Sequence, residues 1–165
     1  MRYTEEHVTR AVARTLAADG WEIVAVHPPD GQGPFVIPKP PKSLKIERAS
    51  FHPDVVAIRP NSHFGAQIMI VECKLKESDL DSDLEKLREL ALSRFSLLFA
   101  LYRCQKFVDG PDIGVDYETV SVLPADELPV QFGLAAMSEH GSSVSESTVE
   151  DFRCTTYLYS VGDLT

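Results

Sequence analysis

The chain has 165 residues, 44% of them hydrophobic, which is the length of one ordinary domain with enough apolar material for a continuous core. Its formal charge of −9 excludes a protein whose whole surface grips a polyanion, yet the charge is uneven: residues 1–108 hold 15 Lys or Arg against 14 Asp or Glu, and residues 109–165 hold Arg153 alone against 11 acids. No apolar stretch approaches the ~20 residues that span a bilayer, the N-terminal MRYTEEHVTR has no apolar run behind its arginines, and the three cysteines (Cys73, Cys104, Cys154) are widely separated, so a cytoplasmic protein with reduced thiols and no membrane attachment is expected.

From Thr4 to Ala18, Val8, Val12, Thr15 and Leu16 recur at helical spacing, with Thr4 as N-cap and Gly20 as the stop. On that helix Glu5 falls within about 40° of the apolar stripe and is the inward carboxylate, while Glu6 points away. Trp21 to Val26 alternates and reads as a strand. Pro28 to about Ala49 is too rich in Pro and Gly for a regular element through most of its length. Within it Lys39, Lys42, Lys45 and Arg48 recur at every third position, suited either to a phosphate backbone or to a solvated loop.

Phe51–Ile58 and Gln67–Lys74 are the clearest strands, and the turn residues of RPNSHFGA between them predict an antiparallel hairpin. Asp79 to Arg94 returns to helical spacing, with Leu80, Leu84, Leu87 and Ala91 along one side. Its Lys86 is read as a surface cation paired with Asp83 or Glu89, or else as a cation beside the site. Phe95–Tyr102 (FSLLFALY) is mostly apolar, as expected of a strand buried on both faces. The predicted order is α-β-β-β-α-β, an α/β fold with a mixed central sheet flanked by helices. Beyond Cys104, Tyr117–Leu123 and Thr155–Val161 read as short C-terminal strands and Gly141–Thr148 as a polar loop. One domain over 1–165 is expected, with a core over about 4–103 and an acidic C-terminal extension over 109–165.

Side chains alternate along a strand, so Glu72 and Lys74 share a face and Cys73 points to the other. Two charges interrupting an apolar strand are costly unless they are paired or bind an ion. A hairpin register that sets Asp54 opposite Glu72 brings two carboxylates together, and a divalent cation is the simplest way to keep both ionised. Mg²⁺, with Mn²⁺ as a substitute, suits an all-oxygen set of one or two carboxylates plus waters and phosphate. His52 shares the face of Asp54, in a supporting or a purely structural role. No HExxH, Walker A, GxGxxG or GxSxG pattern occurs, which leaves zinc-protease, nucleotide and serine-hydrolase chemistry without support.

Pro53-Asp54, 17 intervening residues, then Glu72-Cys73-Lys74, on a hairpin that follows a helix bearing Glu5, resembles the signature of the PD-(D/E)xK nuclease superfamily. The resemblance spans roughly residues 4–103 and implies a restriction endonuclease-like core. It implies that Asp54 and Glu72 ligate the catalytic metal together with the backbone carbonyl of Cys73. Lys74 would position or activate the attacking water, either as a fixed cation or, with its pKa lowered by burial, through proton transfer. Glu5 would support the metal or its water, although a first-turn carboxylate also suits the helix dipole. The implied activity is Mg²⁺-dependent endonucleolytic hydrolysis of phosphodiesters, in DNA rather than RNA, in restriction, repair or recombination. Specificity would come from loops, homodimerisation or a protein partner. The competing expectation is a non-catalytic protein of the same fold that binds a basic partner through its acidic C-terminal third. In a third reading that acidic segment covers the cleft as an autoinhibitor.

Overall fold

The computed structural model describes residues 2–27, 35–38, 50–105 and 114–164. Helix α1 (Glu5–Ala18) starts where Thr4 N–H donates to His7 Nδ1 at 3.1 Å, and it buries Val8, Ala11, Val12 and Leu16. Strand β1 (Glu22–Val26) follows; the two-residue strands β2 (Ile37–Pro38) and β3 (Ser50–Phe51) pair only with each other. The hairpin of β4 (Val55–Asn61) and β5 (Gly65–Lys76) turns on Asn61, whose Oδ1 accepts from the N–H groups of His63 and Phe64. Gly65 is required there: its φ is +78° and a Cβ would run into the Gly114 carbonyl.

Two helices come next, α2 (Leu80–Ala91) and α3 (Arg94–Gln105), then the single-turn α4 (Tyr117–Val120) and strands β6 (Val130–Met137), β7 (Ser143–Val149) and β8 (Phe152–Tyr159). The six-stranded sheet has the order β1-β4-β5-β6-β8-β7. Its first three strands are antiparallel, β5-β6 and β6-β8 are parallel, and β7 closes the far edge antiparallel to β8. The fold is therefore α/β with a mixed sheet, and strict alternation divides its core in two. Val55, Ala57, Met69, Val71 and Cys73 pack with α1 on one face; Val56, Ile58, Ile68 and Ile70 pack with Leu80, Leu87, Leu97 and Leu101 of α2 and α3 on the other. No helix among the described residues is long and apolar enough to cross a membrane.

Four expectations are corrected. Residues 95–102 are helical: Ser93 Oγ accepts from Ser96 N–H at 3.2 Å, opening α3, and Ser96 Oγ donates to the Pro38 carbonyl at 2.7 Å. An apolar run carries no period that separates a buried strand from a buried helix. Residues 117–120 form α4, because Asp116 Oδ1 accepts from Thr119 N–H at 3.2 Å and caps a helical turn. The polar stretch 143–149 is the edge strand β7, solvated and so needing no apolar face. The parallel neighbour of β5 is β6, within the stretch where no strand was expected; thus residues 130–159 supply three of the six strands and the acidic third is built into the sheet.

Candidate active site

The hairpin register pairs Val55 with Val71, so one step outward Asp54 faces Glu72. Asp54 lies just before β4, held from both sides: its carbonyl accepts from His27 N–H at 2.8 Å and its Oδ2 accepts from Cys73 N–H at 2.7 Å. Glu72 continues the inward row of Ile68 and Ile70 and is 5% exposed. Its neutral carboxyl donates to Asp54, and its Oε1 is buried with no partner. Burial, with the charges of Asp54 and Asp83, pushes Glu72 up to about 9. Burial also raises Asp54, against the lowering by the Cys73 N–H and by Glu72. At neutral pH the facing pair thus shares one negative charge and keeps a proton.

Immediately after Cys73 the ladder with β6 slips: Cys73 pairs with Ala135 and Lys76 with Met137, so Lys74 and Leu75 together oppose Ala136. Such a bulge re-aims the side chains it carries. Lys74 Nζ lies 3.6 Å from Asp83 Oδ2, and Lys86 Nζ lies 3.3 Å from Asp83 Oδ1. Burial by itself lowers the Lys74 ammonium, but Asp83, Glu5, Glu72 and Asp54 outweigh it and hold Lys74 above the usual lysine range. The net direction is upward, so Lys74 keeps its charge rather than losing it to burial. Glu5, half-buried at the start of α1, is raised by burial, opposed by Lys74 and reinforced by Asp54 and Asp83, which places it on the rim of the same cluster. Glu6 is exposed and pairs with Arg10.

Sequence reasoning missed Asp83. It was read as the surface partner of Lys86, whereas it is fully buried. The signal was present: 80, 83, 87 and 90 form the stripe that α2 buries, and Asp83 is the one polar residue on it. His52 stands against His27 with ring centroids 6.3 Å apart behind Asp54, and Nδ1 of each is buried without a partner. Lys39, Lys42, Lys45 and Arg48 lie outside the described residues.

The donor set suits Mg²⁺ in kind: two facing carboxylates, an unpartnered Oε1, and the Cys73 main chain at the point where the ladder breaks. The Cys73 thiol cannot contribute, since it is buried on the α1 face and burial pushes it well above its usual range. Among the described residues no three Asp, Glu, His or Cys side chains converge to hold a metal, so any cation here completes its shell with main-chain oxygen and water. No protein-family model, curated protein or solved structure matches the chain.

Proposed function

We propose that the chain is a Mg²⁺-dependent endonuclease that hydrolyses phosphodiesters in DNA, on a core of the restriction endonuclease-like type. The observation that carries this reading is the Asp54–Glu72 pair, two carboxyls face to face with an unpartnered oxygen and, two residues beyond Glu72, a cationic Lys74. The antiparallel β4-β5 hairpin that follows a helix bearing Glu5, with β6 parallel beside β5, supports it.

In this mechanism Asp54 and Glu72, with the Cys73 carbonyl, would hold the cation, and Glu72 would have to give up its proton to serve as a ligand. The cation supplies Lewis acidity toward water and toward a phosphodiester oxygen. The Cys73 N–H keeps Asp54 oriented while it ligates. Lys74 presents a permanent ammonium to the charge that develops on the phosphorus oxygens, so its contribution is electrostatic. Glu5 orients water at the rim, and Lys39, Lys42, Lys45 and Arg48 contact the phosphate backbone.

The test is cleavage of supercoiled, linear duplex and single-stranded DNA in Mg²⁺ or Mn²⁺ by wild type, Glu72→Ala and Lys74→Ala. Cleavage that needs the cation and falls by at least about 100-fold in both variants is expected. Undiminished cleavage by both variants would remove these residues from the reaction. No divalent-cation heat in calorimetry of the wild type would point instead to a non-catalytic, partner-binding protein.

A further inference from the structure

Asp83 is used by no step of the mechanism above, yet it is buried more deeply than Glu72, at 0% against 5% exposure. Its Oδ2 makes no hydrogen bond, and its two counter-ions come from different elements: Lys74 from β5 and Lys86 from one turn further along α2. A ligand role does not suit it, because no three acids among the described residues converge on one cation and both of its oxygens face lysines. We propose that Asp83 is the positioning residue that aims Lys74 at the Asp54–Glu72 pair, and that Lys86 is the counter-ion that stays on Asp83 when Lys74 turns to a substrate phosphate. This assignment rests on the nuclease reading for its chemistry.

A carboxylate fully out of water is strongly destabilising once its only counter-charge leaves. Held by a single lysine, Asp83 would therefore keep that lysine. The 3.6 Å separation from Lys74 is an ion pair beyond hydrogen-bond length, attracted but not locked, while Lys86 sits closer at 3.3 Å on the other oxygen. With Lys86 in place, Asp83 keeps one counter-charge whichever way Lys74 points. Lys86, with its side chain 47% exposed against 29% for Lys74, loses less hydration in staying behind.

The test has two arms on the full chain. In EDTA, competitive acylation read by peptide mass spectrometry compares Lys74 with exposed Lys76 in wild type, Asp83→Asn and Lys86→Met. Lys74 is expected to react several-fold faster in Asp83→Asn than in wild type, and more slowly in Lys86→Met, where Asp83 has only Lys74 left. Unchanged Lys74 reactivity in a folded Asp83→Asn overturns the positioning role. Should Asp83→Asn not fold, unchanged or faster reactivity in Lys86→Met, whose mutated side chain is half-exposed, overturns the counter-ion role on which the proposal equally depends. In Mg²⁺, Asp83→Asn and Lys86→Met are expected to lower kcat about 10- to 100-fold with little change in KM for DNA, Lys86→Arg to restore it, and the double variant to be no worse than Asp83→Asn. Losses that multiply in the double variant overturn the coupling. If the wild type cuts nothing, the nuclease reading fails, while the acylation arm still decides whether Asp83 holds Lys74.

Discussion

At Glu72 a buried carboxyl is held about 9 in the folded chain against an ordinary value of 4.5, so between those limits the folded state binds a proton that the unfolded state has lost. Stability without metal must then fall as pH rises from 4.5 toward 9, because folded-state proton binding exceeds that of the unfolded state throughout that window. Urea midpoints in EDTA at pH 5, 7 and 9 should decline in wild type and decline less in Glu72→Gln, which keeps the shape without the ionisation. A cation held between Asp54 and Glu72, as proposed, would displace the same proton. Calorimetry of Mg²⁺ binding at pH 7 in buffers of different ionisation enthalpy should therefore show proton release in wild type, absent in Glu72→Gln, and apparent affinity should rise with pH. Asp54, Glu72 and Lys74 were legible as a constellation because strand alternation and hairpin register are local rules. The protonation of Glu72 and the direction in which Lys74 shifts were not, since the first depends chiefly on how deeply the sheet is covered and the second on Asp83, which reaches Lys74 from another element.

Among the elements, α3 buries Leu97, Ala100, Leu101 and Cys104 while Phe95 is 65% and Tyr102 51% exposed. A strand would set Phe95 and Leu97 on one face, so the helix makes a distinguishing prediction. Leu97→Ala should cost about 2–5 kcal/mol in chemical unfolding, while Phe95→Ala stays within about 0.5 kcal/mol. The β7-β8 hairpin turns on Glu150 and Asp151, both with positive φ (49° and 64°), the backbone of a type I′ turn built from residues that do not favour it. Asp151→Gly should raise stability by roughly 1 kcal/mol, seen as a higher urea midpoint with unchanged slope. A turn of Asn-Gly would have announced this hairpin in the sequence; Glu-Asp hid it, and β7 was read as a loop. The helix α1, strand β1, the β4-β5 hairpin and α2 were all legible, each from its own period and its own turn or stop residues.

For the molecule as a whole, the acidic residues of 109–165 do not form a detachable cover. Truncation after Asp109 would strip β6, β7 and β8 from the sheet and bare one side of β5, which carries Glu72 and Lys74. The truncated chain should lose its cooperative thermal transition, where an autoinhibitory segment would leave a folded core; circular dichroism melts distinguish the two. By itself the sequence determined the parts governed by short range: the turn that brings Asp54 opposite Glu72, and the inward direction of Glu5. Only the tertiary structure decided that β6 lies parallel beside β5, that an apolar octapeptide is helix and not strand, and that Asp83 is buried against Lys74. Each of these depends on which distant segment covers a surface, and residue periodicity carries no record of the partner.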